Sequence, residues 1–165
     1  MTVDAWLKAN AFGYADLSDE ETEAIRDFSL LWSFFEGTSL RGSASANKIQ
    51  ALVDHWEGLG LLDAADFLNE LEYFRNRYEV GGALNASFDM LNLRQRDMPG
   101  LVSDVISRKL DAPNATVVSL LIVIYRLRNN LFHGQKWAYG IKGQLSNFRH
   151  AISVLMTALS RPPLP

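Results

Sequence analysis

No cysteine occurs in these 165 residues, which excludes disulfides, thiolate metal sites and cysteine nucleophiles together. Histidine is nearly as scarce. His55, His133 and His150 are isolated from one another, so no paired metal-ligand spacing arises, and there is no His-Glu-x-x-His string. A glycine-rich phosphate loop is also missing. Asp63 with Asp66, and Glu70 with Glu72, read as solvated helix charges. Metal and dinucleotide chemistry are therefore disfavoured, and no cofactor and no metal site are expected. No uninterrupted apolar run reaches the roughly 18 residues of a membrane span. The first ten residues hold Asp4 and Lys8 instead of a basic-then-apolar leader. The expected setting is the cytoplasm, without membrane contact.

One further absence is local. All 19 acidic residues lie before residue 112, against 10 of the 16 basic ones, so Arg126, Arg128, Lys136, Lys142, Arg149 and Arg161 fall in a stretch with no Asp or Glu. Two consequences are open. Either these bases present a positive field to a polyanion, or the acids of the first two thirds face them across the fold.

What is present is a chain 48% hydrophobic, enough for one real core and too short to promise two. A single domain over 1–165 is expected, with an N-terminal extension at 1–17 and a Pro-rich tail at 161–165 that frays. Ser18-Asp19-Glu20-Glu21 has the form of a capping box, and Ile25, Phe28, Leu31, Trp32 and Phe35 follow at helical spacing up to Gly37. Ile49, Leu52, Val53 and Trp56 mark a second helix over Asn47–Trp56. Phe67, Leu68, Leu71, Phe74 and Tyr78 mark a third, from Asp63 to the break at Gly81-Gly82. Between Asn85 and Leu110 the signal weakens, with Pro99-Gly100 ahead of a helix at 101–110. The run Val117–Ile124 is β-branched enough to read as a strand in isolation. Its polar continuation to Phe132 fits one helix better, buried at its start and stopped by Gly134. A last helix spans Ile141–Leu159. The architecture expected is all-α, an antiparallel helical bundle of about five to six helices.

Chemistry concentrates where the most apolar helix turns polar, at Arg128-Asn129-Asn130-Leu131-Phe132-His133. An Arg five residues before a His occurs by chance in about one such chain in five, and requiring Asn directly after the Arg lowers this to roughly one in eighty. The ordinary alternative is a helix C-terminus, which favours Arg and His electrostatically and Asn and Gly as stop residues.

Arg128-Asn129-x-x-x-His133 resembles the Arg-polar-x(3–5)-His motif of HEPN domains, small helical bundles found in many toxin, antiphage and RNA-processing ribonucleases. The string from Tyr125 to Gly134 is similar to the fuller motif, and Leu31–Gly37 (LWSFFEG) is similar to the first helix of some bacterial members. The resemblance covers about 18–160 and implies a metal-independent endoribonuclease that leaves a 2′,3′-cyclic phosphate and a 5′-hydroxyl. The alternative is a non-catalytic HEPN-like module that binds RNA, nucleotide or protein.

Physical need agrees with the roles implied for the catalytic set. His133 has the side chain suited to proton transfer near neutrality. Arg128 can hold a phosphate bidentately and stabilise its developing charge. Asn129, one turn before His133, either orients the imidazole or bonds the phosphate. Arg126, Asn130, Lys136 and Lys142 are candidate RNA contacts, and Trp137 and Tyr139 are candidates for base stacking. Glu36 reads as a solvated helix-end carboxylate, with pairing to Arg128 as the other option.

Residues five apart on an ideal helix differ by about 140° in direction, so Arg128 and His133 converge within one chain only if the helix unwinds. A homodimer with a composite active site at its interface, as the family uses, removes that difficulty. The resemblance also brings in an antitoxin or regulatory protein as a partner. In the subgroup regulated by nucleotidyltransferase antitoxins a Tyr follows the His by two positions. Gln135 stands there instead, so that regulation is not expected.

Overall fold

In the computed structural model, which describes residues 1–133 and 141–165, the chain is mostly helical. Helix α1 (Val3–Asn10) starts on Thr2, whose hydroxyl accepts from the Ala5 N–H, and none of its residues is buried. The segment is moored instead by Tyr14, in a short 3₁₀ turn, which is buried and donates to Asp4 at 3.4 Å.

The capping box at Ser18 is present in full: Glu21 N–H donates to the Ser18 hydroxyl, and Ser18 N–H to the Glu21 carboxylate. These bonds satisfy donors that a helix start leaves orphaned. Helix α2 (Asp19–Thr38) then buries Ala24, Phe28, Trp32 and Phe35 at helical spacing, and runs through Gly37 to Thr38. Helix α3 (Ala46–Gly58), capped by Ser45, buries Ile49, Leu52, Val53 and Trp56.

The expected third helix is divided. Asp63 caps a 3₁₀ turn over Ala64–Phe67, and helix α4 runs over Leu68–Tyr78. At its end Gly81 and Gly82 both take positive φ, 62° and 85°. Two such residues close the tight turn of an antiparallel hairpin between β1 (Glu79–Val80) and β2 (Ala83–Leu84). Three shorter pieces follow the hairpin: α5 (Ala86–Asp89), a 3₁₀ turn at Gln95–Asp97, and α6 (Pro99–Ile106). Helix α6 begins on its proline, ahead of the expected 101–110, because Pro is preorganised for the first helical position.

Helix α7 (Pro113–Phe132) is the axis of the core. Every residue from Thr116 to Ile124 is buried, which only a helix covered on all sides requires. α3, α4 and α6 supply that cover, while α2 packs most extensively on the last helix, α8 (Leu145–Leu159). The β-branched run is thus helical because its neighbours bury it. α7 is also, by length and mean hydropathy of 1.3, the one described helix apolar enough to cross a membrane; 78% of that window is buried inside the fold, as core.

Three expectations need correction. Among the described residues there are eight α-helices rather than five to six. α1 and α5 account for much of the difference, being short pieces whose apolar periodicity is too brief to register. Helix α8 starts at Leu145 instead of Ile141, since Gly143 adopts φ 78° and donates its N–H to Glu21 at 2.7 Å.

The tail is not frayed. Pro162 C=O accepts from the Trp56 indole at 2.8 Å, Leu164 N–H donates to Ser39 C=O, and Arg161 pairs with Asp66 while lying over the Trp56 and Phe67 rings. Removing residues 161–165 is therefore expected to destabilise the fold by about 1–3 kcal/mol, from a lost cation–π contact and an orphaned indole donor. Thermal unfolding followed by circular dichroism measures this, and an unchanged midpoint would mean the strap holds nothing.

Candidate functional site

Two helix ends meet at the site. The last turn of α2 brings Glu36 to the last turn of α7, where Arg128 Nη2 reaches Glu36 Oε2 at 3.4 Å and Arg128 Nη1 donates to Asn129 Oδ1 at 3.0 Å. The guanidinium lies over the Phe132 ring, 5.0 Å from its centroid. Its side chain retains 25% exposure. Nε, in contrast, is buried and has no hydrogen-bond partner among the described residues. Arg77 Nε, on α4, is also buried without a partner among the described residues, so the state of Nε by itself does not set Arg128 apart.

Glu36 is no solvated helix-end charge. Oε1 accepts from the Ala44 N–H at 2.9 Å and Oε2 from the Trp32 indole at 3.2 Å, in addition to Arg128. Sequence reasoning gave it the lesser role because the strongest of these bonds comes from a loop amide eight residues away. Its four-residue spacing from Trp32, which puts both on one helical face, was the available signal.

His133 caps α7. Its ring is exposed, and its N–H still donates to Asn129 C=O at 2.9 Å, in the regular helical pattern. The helix therefore does not unwind before His133, and within one chain Arg128 and His133 leave it in directions about 140° apart. Asn129 is buried and engaged by Arg128, so it does not reach for His133. Of the three expected catalytic residues, the single chain brings together Arg128 and Asn129 only.

Two of the expected RNA contacts are buried and engaged within the fold. Arg126 is buried, donates from Nε to Leu91 C=O at 3.1 Å and pairs through Nη1 with buried Asp97 at 3.3 Å. Burial pulls this guanidinium below its ordinary pKa, and Asp97 opposes that pull. Asn130 is likewise buried, with its amide donating to Met90 and Leu91 C=O. Both side chains hold the irregular 90–97 segment against α7, because a buried loop must have its carbonyls satisfied. Lys142 is exposed but stands beside Glu21, at the other end of α2. Fifteen residues of helix separate Glu21 from Glu36, about 22 Å along the axis, so Lys142 is not part of the Arg128 cluster. Lys136, Trp137 and Tyr139 lie outside the described residues.

The acid-free stretch resolves largely as pairing across the fold. Arg126 meets Asp97, Arg128 meets Glu36, Arg149 meets Glu20 at 2.9 Å, and Arg161 meets Asp66. The sequence also underrated bases in the acidic part. Arg94 and Arg96 are exposed, and Arg96 lines a cleft of about 210 Å³ with Tyr125 and the start of α3. His150 stacks on Tyr73 at 3.8 Å, away from the Arg128 cluster on α8. No group of three or more His, Asp or Glu side chains gathers among the described residues as a metal centre would require. No family model, curated protein or solved structure matches the chain.

Proposed function

We propose that this chain is a metal-independent endoribonuclease of HEPN type, an HEPN-like helical bundle acting in the cytoplasm as a toxin or antiphage effector. The observation that carries the reading is Arg128: a part-exposed guanidinium held by Asn129 and Glu36 at the same helix end as an exposed histidine.

In the mechanism proposed, Arg128 binds the scissile phosphate and stabilises the charge that builds on it. A His133 imidazole takes the proton of the 2′-hydroxyl as that oxygen attacks phosphorus. The bond to the 5′-oxygen breaks, and the imidazolium formed in that step returns its proton to the leaving oxygen. Because α7 stays regular, Arg128 of one chain works with His133 of a second, across a two-fold axis that joins two helix ends. Asn129 holds Arg128 in this scheme. Arg126 and Asn130 hold the scaffold.

A specific observation favours a second reading. The pairing of four C-terminal bases with acids leaves little free positive field from those residues, as suits a non-catalytic module that binds nucleotide or protein. The two readings separate on RNA cleavage in EDTA. A ribonuclease yields cyclic-phosphate and 5′-hydroxyl ends, and loses the activity in Arg128→Ala and His133→Ala while both variants stay folded. Binding without cleavage by the wild type supports the module. Cleavage indifferent to both substitutions removes the site.

A further inference from the structure

We infer that Glu36 is the positioning residue of the site, fixing Arg128 for its phosphate; this rests on the ribonuclease reading above. The carboxylate is itself immobilised. It accepts from Trp32, which is 1% exposed, stacked on Tyr125 at 5.9 Å and edge-on to Phe35, and it accepts from the backbone of Ala44. Neither donor moves without disturbing the core or the turn between α2 and α3. Arg128, which bonds the same carboxylate, inherits that rigidity.

The donor inventory shows what is left for substrate. A guanidinium has five N–H groups. Asn129 and Glu36 take one each, on different Nη atoms, and Nε is buried. One proton remains on each Nη, and these two are free to meet a phosphate.

A carboxylate beside a phosphate site has a cost as well as a use. Its negative charge repels the RNA phosphate in the ground state, while its fixed acceptor keeps the guanidinium aimed at the charge that develops in the transition state. Removing the charge therefore separates two quantities that a general loss of structure would lower together. Glu36→Gln is expected to reduce kcat about tenfold to a hundredfold with KM unchanged or lowered. In an Arg128→Ala background the same substitution is expected to add no further loss, because Glu36 acts only through Arg128. Glu36→Asp, which keeps the charge and withdraws it by one methylene, is expected to fall between Gln and wild type.

The deciding measurement is ¹⁵N NMR of the Arg128 side chain in full-length protein, alongside these kinetics and a thermal unfolding check. In the wild type the Arg128 Nη2 protons, held by Glu36, are expected to be resolved and slow to rotate about the Cζ–Nη2 bond, and in Glu36→Gln they coalesce toward the signal of a free arginine. A resonance unaffected by Glu36→Gln, kcat and KM both worsening, or an added loss in the Arg128→Ala background each overturns the assignment. If wild-type protein cleaves no RNA, the ribonuclease reading fails, and the Arg128 resonance alone then decides whether Glu36 positions it.

Discussion

On the ribonuclease reading proposed above, Arg128→Ala and His133→Ala chains, each severely impaired alone, are expected to recover RNA cleavage when coexpressed. Each substitution by itself removes a group whose loss in comparable chemistry costs about 10²–10⁴ in rate. Within one chain the two side chains diverge, because α7 keeps its helical hydrogen bonding as far as the His133 N–H. If the working pair is Arg128 of one chain and His133 of the other, a mixed dimer contains one intact pair and one doubly damaged pair. Random pairing makes half of the dimers mixed, so coexpression is expected to restore about a quarter of wild-type activity. A site built within one chain gives no recovery at any ratio. A chain that sediments as a monomer at assay concentrations and still cleaves RNA also sinks the composite site. The experiment is insensitive to which RNA is cut, since both variants and the mixture see the same substrate.

The legibility of this chain in its sequence follows the length over which a signal repeats. α2 and α3 are legible because each buries a residue at spacings of three and four over a dozen or more positions, and α7 because its long apolar run continues into a polar helix end; their starts carry Ser18, Ser45 and Pro113. Each strand of the hairpin at Gly81-Gly82 is two residues long, and helix α5 is four. At that length periodicity has nothing to repeat, and only turn chemistry identifies the element.

The site divides along the same line. Arg128, Asn129 and His133 share one helix and a recognisable spacing. Glu36 joins them only through tertiary structure, 92 residues earlier in the chain. Side-chain direction was the other hidden quantity. Arg126 and Arg128 are two residues apart, yet one points into the 90–97 segment and the other toward α2. Two residues on a helix are about 200° apart, so adjacent basic residues in a polar string need not share a surface.

That difference in direction makes Arg126→Ala the substitution with the largest expected cost in stability. It leaves Asp97, whose side chain is 2% exposed, with the Arg94 N–H as its remaining bond and no opposing charge. Removing one member of a buried ion pair typically costs about 3–5 kcal/mol, because the partner is left charged in a poorly solvated place. For a domain of this size that lowers the unfolding midpoint by roughly 6–20 °C. The Leu91 carbonyl is less affected, since the Asn130 amide also reaches it at 3.3 Å, so the penalty belongs mainly to Asp97. Arg126→Met combined with Asp97→Asn removes both charges and is expected to be more stable than Arg126→Met alone. Additive losses would show that the two side chains are not coupled. RNA supplies the complementary control. A side chain that meets no phosphate leaves the salt dependence of binding unchanged, whereas loss of a phosphate contact lowers its slope by about one. A folded Arg126→Met protein whose slope falls would show that Arg126 leaves Asp97 when RNA binds, and would return it to the interface.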